Sequence, residues 1–297
     1  MSGRLRRRDV HPEALIDGRP AGGTTQRQLQ RLRVSEAERD EADVEWRLRA
    51  LPGVTRPNLI ALISPKGGVG KTVSTFLVGN LLASHLKLRA IAVDANPDFG
   101  TLARLAPDRR RSERTLADLL ADADRLATAA AIGPYVSKLP SGLHILAAPR
   151  DPHSTATTAE RYGELTALLA TFYEVVLLDL GTGVTGPLAR FAVERADQVV
   201  VVTTTEWVTA AIVLQALPHL RHERTTVALN KAAVGSPGVR AIEHRFREEP
   251  IQRAVTIPHD ERLARMLDTG TYSLDALDNP TRLAIKRLGL AVAEQLV

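Results

Sequence analysis

The stretch Ser64–Thr72, with the sequence SPKGGVGKT, combines three glycines with two lysines and a threonine. It follows the apolar run Leu59–Ile63 and precedes a segment with helical periodicity. Glycines let successive backbone N–H groups point into one concavity, and the N-terminus of a helix adds a partial positive charge. The stretch therefore predicts a phosphate-binding loop, in which Lys71 reaches the β- and γ-phosphates of a nucleotide and the Thr72 hydroxyl ligates Mg²⁺.

Two acids, Asp94 and Asp179, each close a run of four apolar residues. In a parallel sheet the carboxyl ends of the strands meet at one edge, so both carboxylates are predicted to lie near the phosphate loop. Asp94 could hold the Mg²⁺ shell or orient the attacking water, and Asp179 could bond to Mg²⁺ through water or to Thr72.

The loop sequence KGGVGKT resembles the deviant Walker A motif of the ParA/MinD family of ATPases, which belongs to the SIMIBI class of P-loop NTPases. The general P-loop pattern has a glycine where this chain has Pro65, and the extra lysine of the family motif is Lys66. The resemblance implies that Lys66 crosses to the nucleotide of a partner subunit, so that two monomers enclose two ATP molecules. This lysine would stabilise charge on the phosphates as an arginine finger does.

The same resemblance extends to four further positions. Asp94 matches the first acid of the family's Asp-x-Asp motif, and Asn96 replaces the second acid, which positions the hydrolytic water. An amide can hold a water molecule but cannot accept its proton, so two alternatives stay open: hydrolysis is slow, or Asp98 supplies the missing carboxylate. Asn230 is similar to the asparagine that recognises adenine, and Pro258 to the proline of a loop that lies against the base. The predicted catalytic residues are Lys66, Lys71, Asp94 and Asn96. The predicted nucleotide contacts are Lys66, Gly67, Gly68, Val69, Gly70, Lys71, Thr72, Val73, Asn230 and Pro258. The predicted metal ligands are Thr72, Asp94 and Asp179.

Short apolar runs alternate with longer amphipathic segments from Asn58 onward. The predicted strands are Leu59–Ile63, Ala90–Val93, Leu143–Ala147, Val175–Leu178, Val199–Val202, Val227–Leu229 and Ala254–Ile257. The predicted helices are Thr72–Leu86, Thr115–Ala131, Thr155–Phe172, Val208–Leu220, Val239–Arg247, Asp260–Leu267 and Thr281–Leu296. Strands that are apolar on both faces and separated by helices predict an α/β fold with a doubly wound, mostly parallel sheet flanked by helices, as in a P-loop NTPase.

Residues 1–56 differ from the rest in composition and predict a charged N-terminal extension ahead of an ATPase domain at 57–297. The extension contains Arg6-Arg7-Arg8 and then a mixed-charge run, Gln26–Leu51, which is rich in helix formers. This pattern predicts a partly helical or disordered segment with one exposed helix that ends at Pro52-Gly53. Two interpretations stay open: a solvated extension without chemistry, or a docking arm for DNA or a partner.

Composition excludes several classes of protein. The 297 residues contain no cysteine, which rules out disulfides, thiolate zinc sites, cysteine-held iron–sulfur clusters and cysteine nucleophiles. Lys and Arg number 39 against 34 Asp and Glu, a net charge of +5 that permits contact with nucleic acid without demanding it. No apolar stretch approaches the roughly 18 residues of a membrane span. These features predict a cytoplasmic protein without integral membrane association, nucleoid-associated if it binds DNA.

The family resemblance implies an ATPase that converts ATP and water to ADP and phosphate, slowly and with stimulation by a partner. Its cofactors would be ATP and Mg²⁺, and it would form a homodimer with ATP. The leading hypothesis is ParA-like partitioning of plasmid or chromosomal DNA, with a ParB-like partner and non-specific DNA binding. The candidate DNA-binding cations are Arg240, Arg245, Arg247, Arg253, Arg262, Arg265, Arg282, Lys286 and Arg287.

Three alternatives stay open. The chain could be a MinD-like ATPase of cell division or of type VII secretion, with a division or secretion protein as its partner. It could be a metabolic synthetase with the same loop, such as the dethiobiotin and cobyrinate amide synthetases. It could also be a nucleotide-binding protein in which Asn96 disables turnover.

Overall fold

The protein forms an eight-stranded sheet with helices on both faces in a computed structural model. The structure describes residues 22–96, 100–151, 154, 156, 158–220 and 223–297, with side chains from residue 36 onward. The strands are β1 Asn58–Ser64, β2 Ala90–Ala95, β3 Ser137–Lys138, β4 His144–Leu146, β5 Val175–Thr182, β6 Gln198–Thr204, β7 Thr225–Ala232 and β8 Arg253–Pro258. The helices are α1 Gly22–Ala50, α2 Lys71–His85, α3 Leu116–Ala121, α4 Ala129–Ile132, α5 Ala159–Ala170, α6 Pro187–Arg195, α7 Trp207–Leu220, α8 Pro237–Arg247, α9 Glu261–Asp268 and α10 Asn279–Ala293.

The strand order is β3-β4-β2-β5-β1-β6-β7-β8, and every pair is parallel except β3 with β4. All seven predicted apolar runs are strands, and the predicted doubly wound α/β fold is confirmed. Successive side chains of these strands point alternately to the two faces of the sheet, where they enter two buried layers. One layer packs β1 and β5 against α2 and α10, and the other packs the opposite sheet face against α5 and α7. Helices on both faces explain why these strands carry no polar alternation.

Three elements differ from the sequence-based expectation. The short strand β3 was not predicted, because its two residues carry no apolar run. The predicted helix Thr115–Ala131 is broken: α3 ends at Ala121, and Asp122 accepts hydrogen bonds from Arg125 and Tyr135 in the turn that follows. Helix α6 was also not predicted. It begins at Pro187, and its fully buried face consists of small alanines, which give a weak apolar signal.

The prediction that the N-terminal extension carries an exposed helix is wrong for the described part of α1. Val44 and Leu48 are buried, and α1 packs against α10. Acidic side chains of α1 pair with cations of α10, so a run that looks polar in sequence becomes an interface. Within the described residues, no helix is long and apolar enough to cross a membrane.

Candidate functional site

The glycine-rich turn between β1 and α2 has the backbone that a phosphate loop needs. Gly68 and Gly70 have φ angles of 76° and 92°, in the left-handed region that favours glycine. A Cβ on Gly70 would lie 2.0 Å from Nδ2 of Asn230, so no larger residue fits there without displacing that side chain. Thr72 and Val73 lie half-buried in the first turn of α2, where helix N–H groups are unpaired. The turn can therefore present N–H groups to an anion.

Lys71 and Asp179 form a buried ion pair at this edge of the sheet. Lys71 Nζ lies 2.7 Å from Asp179 Oδ1, and both side chains are less than a tenth exposed. The Thr75 hydroxyl lies 3.2 Å from the same oxygen. The other oxygen, Oδ2 of Asp179, is buried and has no hydrogen-bond partner in the described part of the chain. An unpaired carboxylate oxygen fixed in this way suits an additional cation.

Asp94 lies directly beside Asp179, since the two residues are register partners on β2 and β5. Its carboxylate accepts hydrogen bonds from the backbone N–H groups of Leu102 at 2.9 Å and Asn96 at 3.3 Å. Burial, and then the charge of Asp179, raise the pKa of Asp94 to about 6. Asp94 thus organises the chain that follows β2 as well as facing the site. Asp98 lies outside the described residues.

The residues at this edge fit Mg²⁺ as an oxygen-liganded ion. Among the described residues, no group of three or more histidine, aspartate or glutamate side chains is placed to hold a metal. Mg²⁺ is typically bound by one or two carboxylates together with substrate phosphates and water, so a full protein cage is not needed. Asp179 and Thr72 would hold the ion. The oxygens of Asp94 already accept backbone hydrogen bonds, so a role of this residue as a direct ligand stays a prediction.

Lys66 lies away from the Lys71–Asp179 pair, on the side of α7. Its side chain is exposed, and Nζ lies 3.1 Å from the hydroxyl of Thr209, which in turn donates to Glu206. The first turns of α7 also carry Trp207 and Val208, whose side chains are 59% and 68% exposed. The two lysines of the loop therefore point to different surroundings: one to the buried acids, the other to an exposed, partly apolar surface.

Two side chains at the end of β7 donate hydrogen bonds to carbonyl groups of the phosphate loop. Asn230 Nδ2 donates to the carbonyl of Val69 at 2.9 Å, and Lys231 Nζ donates to the carbonyl of Gly68 at 2.8 Å. Lys231 adopts a φ of 55°, which is uncommon for a residue other than glycine. The Asn230 amide is thus engaged with the loop, and recognition of adenine by this residue stays a prediction. Pro258, at the end of β8, pairs in register with Ala232 and lies half-buried.

Sequence reasoning brought Lys71, Thr72, Asp94, Asn96 and Asp179 to one edge, and the structure places them there. It missed the residues that hold these groups in position. These are Thr75, Thr209, Glu206 and Lys231. A signal existed for Thr75, which lies one helical turn after Lys71 and so faces the same way. For Thr209 and Glu206 the signal required the strand order, which places β6 beside β1.

Fold and site together define a P-loop NTPase. A family model described as an AAA domain matches residues 57–230, which is more than half of the chain. The structure also superimposes on solved ATPases of the ParA and MinD types. The chain belongs to the ParA/MinD family of P-loop NTPases, as the resemblance of the loop predicted.

Three comparisons illustrate this relationship. The ESX-1 secretion-associated protein EspI of Mycobacterium tuberculosis (strain H37Rv) is 32% identical over 278 residues, covering 89% of this chain and 40% of EspI. The chain thus spans less than half the length of this relative. The ParA family ATPase from Chlorobium tepidum TLS has a TM-score of 0.65 at 21% identity, covering 78% of this chain and 98% of that one. The septum site-determining protein MinD from Pyrococcus horikoshii OT3, solved with Mg-ADP, has a TM-score of 0.60 at 20% identity, covering 79% and 94%. At such identities these two structures establish the shared fold.

Proposed function

We propose that the chain is an ATP-dependent molecular switch that binds Mg-ATP, dimerises through its nucleotide edge and returns to the monomer after slow hydrolysis. The observation that carries the proposal is the separation of the two loop lysines. Lys71 pairs with the buried carboxylate of Asp179, where it can exchange this partner for the phosphates of its own nucleotide. Lys66 is exposed against α7, where it can reach a nucleotide held by a second copy.

Exposed apolar residues in the segments that follow β6 and β7 support a protein contact at this edge. Trp207, Val208 and Ile212 on α7, and Val234 in the loop after β7, have large exposed side chains. Both segments follow strands at their carboxyl ends, on the edge where the phosphate loop lies. Exposed apolar side chains grouped in this way are typical of interaction surfaces. A second copy docked here would bury them and bring Lys66 close to the nucleotide.

The solution mass of the protein with Mg-ATP, compared with Mg-ADP, tests the switch. The expected result is a monomer with ADP and a dimer with ATP. We expect Lys66→Ala to keep nucleotide binding but to lose the dimer or its turnover, because the contact made in trans is removed while Lys71 and the rest of the phosphate loop are kept. Lys138→Ala, which removes an exposed lysine of the edge strand β3, is the matched control. A mass that does not respond to nucleotide would contradict the switch and favour a metabolic synthetase of the same fold.

The supporting evidence for a particular role comes from EspI, whose name associates it with ESX-1 secretion and which is similar over 89% of this chain. We infer that the switch serves a type VII secretion system. The experiment is deletion of the gene in its own organism, followed by measurement of secreted type VII substrates. Complementation with the natural chain should restore secretion, whereas the Lys71→Ala variant should not. Secretion that is unaffected by the deletion would refute this role.

DNA partitioning, the leading sequence-based hypothesis, receives less support. Eight of the nine candidate cations form ion pairs with acids, and the ninth, Arg240, donates to the carbonyl of Gly235. The charge that this face offers to phosphates is correspondingly small. Binding of duplex DNA by the ATP dimer, weakening steeply with salt, would restore this hypothesis.

A further inference from the structure

Helix α1 rests on α10 through a cluster of ion pairs. Glu41 accepts hydrogen bonds from the guanidinium of Arg282, at 2.8 Å from Nη2, and from Lys286 Nζ at 2.6 Å. Lys286 also donates to Glu45, and Arg287 donates to Asp40 at 2.7 Å. Lys286 is only 3% exposed, so its charge is removed from water and depends on these carboxylates.

The apolar part of this contact is small. In the described part of α1, Val44 and Leu48 are the two buried apolar side chains. Positions 40, 41, 44, 45 and 48 follow the spacing of a single helical stripe. The stripe is therefore mainly acidic, with two apolar residues along it. A contact that depends on charge to this extent is open to competition from other anionic helices, and salt screens its exposed pair, Asp40 with Arg287.

The surface beneath α1 has the complementary composition. A groove of about 410 Å³ runs between α1, α8, β8 and α10. Its apolar wall includes Val255 and Leu290, and its rim includes Arg247, Arg253 and Arg287. We use the name α10 seat for the surface of α10 that α1 covers, which carries Arg282, Lys286 and Arg287 and borders this groove at Leu290. Without α1 the seat would present these three cations beside the apolar wall of the groove.

We propose that the α10 seat is a docking site for an acidic amphipathic helix, and that α1 occupies it as an intramolecular ligand that a helix of a partner protein displaces. The sequence of α1 specifies the chemistry of the partner helix. Two adjacent acids are followed three positions later by an apolar residue, next to which stands a third acid, and a second apolar residue follows three positions after that acid. The seat lies outside the phosphate loop, so this inference does not depend on ATP hydrolysis.

An acidic helix fits the seat better than a nucleic acid does. Phosphates would pair with Arg282, Lys286 and Arg287 but would bring no apolar group to the wall at Val255 and Leu290. The resident helix pairs with the cations and also supplies an apolar side chain, because Val44 lines the same groove. The partner is therefore expected to be a protein segment with helical periodicity.

A fluorescein-labelled peptide of residues 36–50 added to the full-length protein tests the proposal. The Glu41→Gln/Glu45→Gln protein, whose own α1 is weakened, should bind the peptide about tenfold more tightly than the natural chain does. The Glu36→Gln/Glu38→Gln protein is the matched control. It changes the same net charge on the same helix, and neither residue pairs with α10 in the described part of the chain. A peptide with lysine at positions 41 and 45 should not bind.

Equal binding by the natural chain and the Glu41→Gln/Glu45→Gln protein, or an equal gain in the control, would overturn the proposal. If the Glu41→Gln/Glu45→Gln protein bound a 30-base-pair DNA duplex but not the peptide, the seat would be a phosphate-binding site and the proposal would be overturned as well. A measurement on the natural chain covers the case in which the variant fails to fold. Hydrogen exchange of residues 36–50 should rise between about 0.05 and 0.5 M salt, because salt screens the exposed ion pair between Asp40 and Arg287 that helps to hold α1. Exchange that is indifferent to salt would contradict the proposal.

Discussion

Two buried lysines, Lys71 and Lys286, each lie against carboxylates, but their surroundings are opposite. Lys71 bonds one oxygen of Asp179, the second oxygen lacks a partner in the described part of the chain, and the neighbouring Asp94 has its pKa raised to about 6. Lys286 lies between two carboxylates of α1, one of which, Glu41, accepts four hydrogen bonds. These bonds, first that from Arg282, lower the pKa of Glu41 to about 2.

The difference separates a cluster that awaits a ligand from one that completes an internal contact. At the phosphate edge, two acids repel each other and one buried oxygen is unpaired, so the apo state carries a cost that a bound cation would relieve. At the contact of α1 with α10, each charge has partners, and ionisation stabilises the folded state. Substitutions at the first cluster should therefore change ligand binding most, and those at the second should change stability most.

The largest effect is expected at Lys71. Lys71→Ala should lower the affinity for Mg-ATP by about a hundredfold or more, because it removes a desolvated cation that pairs with the phosphates. Isothermal titration measures this loss. Lys286→Ala, which removes the other buried lysine, is the control and should leave the affinity unchanged. If both variants lose affinity equally, the two clusters are not functionally distinct and the phosphate-loop assignment fails.

Glu41→Gln should lower the free energy of unfolding by about 3 kcal/mol at pH 7, the value that corresponds to the lowered pKa of Glu41. Because the folded-state pKa lies below the ordinary value of 4.5, this stabilisation is present above pH 4.5. It should shrink as the pH falls towards 2. Denaturant unfolding of the natural and variant proteins between pH 3 and 7 measures it. A difference that does not change with pH would show that lost packing, not charge, is responsible.

Asp94→Asn should change the free energy of unfolding in the opposite direction to Glu41→Gln. The folded-state pKa of Asp94 lies above its ordinary value of 3.8, so the folded protein holds a proton that the unfolded chain loses first. Stability therefore falls as the pH rises from about 4 to about 6 and stays low above that. Removing the charge should raise the free energy of unfolding by about 3 kcal/mol at pH 7, with little effect at pH 4. Thermal unfolding at the two pH values checks this, and a destabilised variant at pH 7 would contradict it.

The residues at the phosphate edge could be predicted from the sequence, whereas the contact of α1 with α10 could not, and the reason is physical. The loop Ser64–Thr72 is contiguous, and its glycines, lysines and following helix each act locally, so their chemistry can be inferred from spacing. Asp94 and Asp179 could be placed because the ends of parallel strands share an edge. The pairing of Glu41 with Lys286 joins residues 245 positions apart.

The side chains that fine-tune the site were hidden for the same reason. The contact between Lys66 and Thr209 depends on β6 lying beside β1, which alternating strands and helices do not determine. The contact of α1 with α10 depends on charges whose sequence pattern equally suits a solvated helix. Charge alone does not report which face of a helix is buried. In the part of α1 whose side chains the structure describes, Val44 and Leu48 hinted at a buried stripe, and their spacing is also found on exposed helices.

The smallest effect on stability is expected for the exposed ion pair at the edge of the contact between α1 and α10. It tests whether burial of the charges is what makes Glu41 important for stability. Asp40 pairs with Arg287 at 2.7 Å, but both side chains are about half exposed, whereas Glu41 on the same helix is 12% exposed. Water screens the exposed pair, so Asp40→Asn should cost only about 0.5 kcal/mol, and less at high salt. Denaturant unfolding at two salt concentrations tests this. A loss as large as that of Glu41→Gln would mean that α1 is held by net charge along its whole face, and burial of Lys286 would not be the feature that separates the two clusters.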